Sequence, residues 1–232
     1  ARSAVLASDL DQAIPGVSIN RFCASGLESV NMAANQLKGG AGQAYLAGGV
    51  EMMGRVAMGS DGAAIAVDTE TMGLITPRDR LCVVQLSSGD GNAHVVRLNR
   101  PAYDCPNLKR VLTDPAVTKI FHFGRFDIGM FLLHLGVETR PVYCTKIASK
   151  LARTYTDRHG LKYLLNDLVS VDVSKQQQTS DWGAEVLTEA QLDYATSDVL
   201  HLHPLKAELE RRLAREGRTA IAQACFDFLP TR

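Results

Sequence analysis

Two carboxylates one residue apart close an apolar run. The segment AAIAVDTETMGL, Ala63 to Leu74, reads as a strand that ends in Asp68 and Glu70. Residues i and i+2 of a strand face the same way, so the two acids sit side by side at the end of a buried segment. Like charges that close repel, and each raises the proton affinity of the other. A bound divalent cation offsets the repulsion. Two further stretches have the same character: HFGRFD places Asp127 at the start of an apolar helix, and YATSD places Tyr194 and Asp198 four apart on one helical face. Mg²⁺ and Mn²⁺ prefer carboxylate and water oxygens. Two such ions, roughly 3.5–4 Å apart, clamp the attacking and leaving oxygens of a phosphodiester. A tyrosine hydroxyl near the attacking water could orient it or help remove its proton.

Each residue also has an ordinary reading. Asp127 could be a helix-start charge favoured by the helix dipole. Tyr194 could be a core aromatic, and Asp198 a solvated helix position. A lone D-x-E carries little weight; the joint occurrence, in this order, favours the functional reading.

Holding these groups together takes a mixed α/β sheet flanked by helices. AIAVDTE, RLCVVQLS and NAHVVRL read as antiparallel strands joined by turns at TPRD and SGDG. CPNLKRVLTD reads as a helix, TKIFHF as a fourth strand, RFDIGMFLLHLG as a helix ended by Gly136, and PVYC as a fifth strand. Helices are expected near TKIASKLARTY and GLKYLLNDL, with one long helix over TEAQLDYATSDVLHLHPLKAELERRLAREG. KQQQTSDW, Lys175 to Trp182, is a polar loop. Residues 1–62 read separately as strand GVSIN, helix ASGLESVNMAANQLKGG and strand QAYLAGGV, a β-α-β piece too small to bury both faces of its strands alone.

The chain has 232 residues, 46% of them hydrophobic, enough for one full domain and a smaller piece. Lys+Arg and Asp+Glu are both 25, so the formal charge is zero. A protein that grips long nucleic acid nonspecifically is usually basic, whereas a short substrate makes no such demand. Cys23, Cys82, Cys105, Cys144 and Cys225 form no C-x-x-C pair, which points to a reducing cytoplasm over a disulfide framework or structural zinc. ARSAVLASDLDQAIPG lacks the basic and apolar regions of a secretory signal, and no apolar run approaches the roughly 18 residues of a membrane span.

On these motifs, residues 63–232 resemble the DEDD-type 3′–5′ exonucleases that carry tyrosine in the third motif, a group with a ribonuclease H-like fold that includes ribonuclease D. The first motif falls on Asp68 and Glu70, the second on Asp127, and the third on Tyr194 and Asp198. The resemblance implies a mixed five-stranded sheet and two divalent cations, Mg²⁺ or Mn²⁺. It implies that Asp68, Glu70 and Asp198 ligate metal directly and that Asp127 supports the second ion. RDRLCVVQLSSGDG, TKIFHFGRFD, CTKIASKLARTYTDRHGLK, KQQQTSDW and ACFDFLPTR are similar to the shorter nano-RNase C oligoribonucleases. That family implies cleavage of very short RNA, linear dinucleotides above all, by a cytoplasmic homo-octamer, although this chain departs from it at both termini. Trimming of longer RNA 3′ ends, as in ribonuclease D, is the alternative.

Substrate contacts are expected at Leu74, as a wedge against a base or else as a core leucine. His122 either faces the site from a strand end or is a satisfied core histidine. Arg158, His159 and Lys175 either meet a 5′ phosphate or form a solvated loop. His201 and His203 diverge on a helix and suggest no metal site.

NRFCASGLESVNMAANQLKGGAGQAYLAGGVEMMGRVAMGSDG does not fit that family. Residues 3–62 resemble a fragment of thiolase, the acetyl-CoA acetyltransferase group, with Cys23 at the nucleophile position. Thiolases complete the site with later G-H-P and C-x-G-G-G motifs, and neither is present in this chain. Cys23 is therefore expected to be idle. An acyl-CoA thiolase fragment is the competing functional class, and a fusion is expected at about residues 59–68.

Overall fold

The computed structural model describes residues 63–98, 102–173 and 180–231, together with Ala33, Asn35 and Lys38, which are helical. Apart from those three, which fall within the expected helix ASGLESVNMAANQLKGG, the β-α-β piece expected over residues 1–62, Cys23 within it, lies outside the described residues, as does Lys175. The chain divides into two units, Ala1–Arg55 and Val56–Arg232.

The second unit is centred on a five-stranded mixed sheet in the order β3-β2-β1-β4-β5. β1 (Ala63–Thr71) pairs antiparallel with β2 (Leu81–Ser87), which pairs antiparallel with β3 (His94–Arg97). On its other side β1 runs parallel to β4 (Val117–Phe121), and β4 runs parallel to β5 (Val142–Cys144). A central strand is covered on both faces, which explains the run of small and branched apolar residues before Asp68. Ala66 and Val67 are fully buried. Asp68 lies opposite Gln85 and Glu70 opposite Val83, and the register then slips between Glu70 and Thr71. That irregularity ends regular pairing immediately after the second acid.

Seven helices surround the sheet among the described residues: α1 (Pro106–Thr113), α2 (Arg125–Met130), α3 (Thr145–Ala152), α4 (Leu161–Val169), α5 (Glu189–Leu200), α6 (Leu202–Arg215) and α7 (Thr219–Phe228). In α6, Leu202, Leu205, Leu209 and Leu213 are buried, a stripe at three- and four-residue spacing. They join Ile120, Phe121, Phe131, Leu164 and Leu165 in one core cluster. None of the helices is long and apolar enough to cross a membrane.

Three elements differ from the sequence reading. The single long helix is two, α5 and α6, broken at His201. Pro204 explains the break: it has no N–H to give Leu200, and its ring would collide with that carbonyl in a continuous helix. The helix after Asp127 widens into a π-helical turn, Phe131–Leu135, before Gly136 stops it at φ 68°. α7 occupies a segment for which no helix was expected.

Lys119 is fully buried in β4. Its Nζ donates to the carbonyls of Asp114 at 2.8 Å, Val117 at 2.6 Å and Arg140. The ammonium thus reaches back to the amino ends of β4 and β5, away from the acids at the carboxyl end of β1. Burial lowers its pKa to about 8, which leaves it protonated at neutral pH.

Candidate active site

Three acids meet although 130 residues separate the first from the last: ligand oxygens of Asp68, Glu70 and Asp198 lie within 4.8 Å of one another. Asp68 and Glu70 come from one face of β1. Asp198 comes from α5, which packs on β1 and β2. The start of that helix is fixed by a capping box. Thr188 Oγ1 accepts from the Gln191 backbone N–H at 3.3 Å, and Gln191 Oε1 accepts from the Thr188 N–H at 2.9 Å. Gln191 Nε2 also donates to the Asp181 carbonyl, anchoring the preceding loop.

Asp127 is buried in the first turn of α2. Thr69, the residue between the two β1 acids, donates its hydroxyl to Asp127 Oδ1. The turn into α2 is tight. A Cβ at Gly124 would lie 2.5 Å from the Phe121 Cβ, so no larger residue fits there without displacing the end of β4. Asp127 is outside the closest trio, but its charge is near enough to raise the pKa of Asp68.

The electrostatics are strained. Burial, then the charges of Asp127, Asp198 and Glu70, hold Asp68 well above the usual carboxylate range. Burial, then Asp198 and Asp127, raise Glu70 to about 8, against a small opposing effect of a Gln85 hydrogen bond. Burial raises Asp127 to about 6, opposed by the Thr69 hydroxyl and backbone hydrogen bonds. Burial, then Asp198, Glu70 and Asp68, raise the Tyr194 phenol, which hydrogen-bonds Asp198. Without a counter-charge such a cluster retains protons. Convergent carboxylate oxygens are the donor set of a hard divalent cation, so the residues present fit Mg²⁺ or Mn²⁺.

Tyr194 is half-buried on α5, one turn before Asp198, with its ring 6.1 Å from that of Trp182. Leu74 is 83% exposed, so the core-leucine alternative does not hold. His122 is half-buried at the end of β4, its Nδ1 2.9 Å from Thr145 Oγ1. That hydroxyl donates to the Phe121 carbonyl, so Nδ1 carries the proton that His122 shares with it. Arg158 is exposed, its guanidinium 4.4 Å from the Tyr163 ring centroid. His159 departs from the expectation of a phosphate contact. It is buried, with Nδ1 on Ser149 Oγ at 2.9 Å and a further hydrogen bond to the Thr156 backbone. Burial, then the Arg153 and Lys150 charges, lower its pKa. The Ser149 contact ties the loop that carries His159 to α3. His203 bonds the Ala64 carbonyl at 3.3 Å and belongs to no metal-binding group among the described residues.

Three residues beside the acids were not singled out by the sequence pattern, and a fourth residue, Phe123, has a backbone conformation that the pattern did not foretell. Gln85 and Thr69 hold acids across gaps of 15 and 58 residues, and Trp182 packs beneath Tyr194. Phe123 is 58% exposed with φ 66°, a left-handed conformation uncommon for an aromatic residue, and the Lys146 ammonium sits 3.8 Å from its ring centroid. Alternation alone would have placed Gln85 on a sheet face, but not beside Glu70.

Comparison with known proteins gives two matches that overlap in sequence. A family model described as 3′–5′ exonuclease matches residues 51–214, and a model of the thiolase N-terminal domain matches residues 1–84. A curated relative, ribonuclease D of Granulibacter bethesdensis, is 38% identical over 156 residues, 67% of this chain and 39% of the relative. The chain thus spans about two fifths of the length of this and two other ribonuclease D relatives. Among solved structures, Brucella melitensis NrnC with bound Mg²⁺ is 58% identical, with a TM-score of 0.70 over 73% of this chain and 83% of that one. The same protein bound to pGG is 59% identical, with a TM-score of 0.71 over 73% and 82%. The mixed five-stranded sheet with flanking helices is the ribonuclease H-like fold of these exonucleases.

Proposed function

The chain belongs to the 3′–5′ exonuclease family, and on that premise we propose that residues 63–232 form a metal-dependent 3′–5′ exoribonuclease that hydrolyses short oligoribonucleotides, linear dinucleotides above all, to mononucleotides. The convergence of Asp68, Glu70 and Asp198 within 4.8 Å carries the reading. Held by these three acids with Asp127 in support, two Mg²⁺ or Mn²⁺ ions would neutralise the scissile phosphate and lower the pKa of an attacking water. The chain's own groups then divide the work. The carboxylates fix the reaction centre, and Asp127 is steadied by Thr69. Tyr194, braced by Trp182 and Asp198, orients the nucleophilic water. Leu74, exposed beyond the end of β1, separates the two bases, and His122 flanks the cleft from the end of β4. Arg158 and Lys175 receive the 5′ phosphate.

The preference for short RNA is supported by 59% identity to a nuclease whose structure holds pGG. Ribonuclease D relatives favour a second reading, the trimming of longer RNA 3′ ends. Incubation with 5′-labelled RNAs of two to about twenty nucleotides, with and without Mn²⁺, separates the two. Faster cleavage of dinucleotides supports the first reading, and equal rates across lengths support the second. The same reading includes a cytoplasmic homo-octamer, checked by light scattering. It also includes a division at residues 62 and 63, with residues 1–62 a thiolase-like segment that adds nothing to hydrolysis.

A further inference from the structure

Glu70 is one of three close acids, and a fully buried neutral side chain lies against it. Gln85 of β2 stands opposite Asp68 in the β1–β2 register, so its side chain shares the face of the sheet that carries Asp68 and Glu70. Its Nε2 donates to Glu70 Oε1 at 3.3 Å. The oxygen of the same amide is buried and has no hydrogen-bond partner among the described residues. A buried amide with an unmet acceptor is costly where leucine or valine would serve, and β2 fills its neighbouring positions with Val83, Val84 and Leu86. Gln85 is therefore poorly explained as core filling.

We infer that Gln85 is a positioning residue of the carboxylate cluster. It fixes the rotamer of Glu70 through Nε2 and offers Oε1 as an acceptor to water bound with the divalent ion. The inference rests on the metal-dependent reading above. Groups that orient a ligand carboxylate act on metal affinity, and their loss commonly lowers it about 10–100-fold.

The test measures metal binding without RNA. Mn²⁺ is titrated by calorimetry into the full chain as wild type, Gln85→Leu and Gln85→Met, and the melting temperature of each is recorded in EDTA. Gln85→Met keeps the length of the side chain should Gln85→Leu fold poorly. The expected result is a loss of Mn²⁺ affinity of about 10-fold or more in both variants. Their melting temperatures in EDTA should equal or exceed that of wild type, because the unmet acceptor is gone. A residue that only fills the core would show the reverse: lower melting temperatures and unchanged affinity. Unchanged Mn²⁺ affinity in either folded variant overturns the inference. Wild type that binds Mn²⁺ but cleaves no RNA defeats the exoribonuclease reading and leaves Gln85 to be judged on affinity. Wild type that binds no Mn²⁺ overturns both.

Discussion

At the carboxyl end of β1, Asp68, Glu70 and Asp198 crowd together with Asp127 close by, and each β1 acid has its pKa raised by burial and by its neighbours. At the amino end of β4, Lys119 is buried at least as deeply, yet its ammonium is met by three backbone carbonyls. One sheet thus carries buried charge of both signs. The lysine's charge is met by backbone carbonyls, whereas the like charges of the acids raise one another's pKa, a repulsion that a bound cation would offset. Charge that the fold neutralises reads as structure, and charge that it leaves strained reads as a site.

If that contrast is right, removing the ligand and removing the lysine should have different consequences. Chelation, or Asp68→Asn or Asp198→Asn, should abolish cleavage while circular dichroism still shows a folded chain. Undiminished hydrolysis in excess EDTA would sink the two-metal proposal. Tyr194→Phe comes next: cleavage should slow by about 10²–10⁴-fold, with Mn²⁺ affinity and stability kept. Wild-type turnover would assign Tyr194 to packing against Trp182. Lys119→Met should remove three buried hydrogen bonds and cost roughly 1–3 kcal/mol in denaturant melts, with turnover per folded molecule unchanged. A fall in turnover at saturating Mn²⁺ would mean that the two ends are coupled.

The pH response of stability offers a smaller effect of definite sign. The folded-state pKa of Glu70 is raised to about 8 and that of Asp127 to about 6. Between the ordinary carboxylate range and those values the folded chain binds more protons than the unfolded chain. Stability in EDTA should therefore fall as pH rises from about 5 to 8. Mn²⁺ should reduce the slope, because its binding displaces the same protons. A flat melting-temperature profile in EDTA would remove the electrostatic argument. The smallest effect expected is none at all: Cys23→Ala should change neither RNA cleavage nor acetoacetyl-CoA thiolysis, the latter being undetectable in wild type. Thiolysis that disappears in Cys23→Ala would overturn the idle reading.

The D-x-E pair was legible because strand alternation is a two-residue rule, and Tyr194 with Asp198 because a helical turn is a four-residue one. The five strands were legible as apolar runs between turn residues. The helix break was legible in principle, since Pro204 marks it, but the apolar stripe of α6 continues the pattern of α5 and hides it. The meeting of Asp127 with β1 through Thr69, the inward turn of His159 onto Ser149, and the exposed left-handed Phe123 follow from contacts across the chain or from backbone torsions. No local pattern encodes these.

The first half of β1 is recognised largely through its main chain. Ala63, Ala64, Ile65 and Ala66 pair with Val117, Thr118, Lys119 and Ile120, and the alanines fill the small spaces that remain. From Asp68 onward each side chain is specified: two acids for the cleft, and between them a threonine for Asp127. Pairing through the main chain sets few demands on side-chain identity beyond small size at Ala64 and Ala66, which are buried. Any run of small apolar residues of that length could complete the strand and leave the acids at its carboxyl end in place.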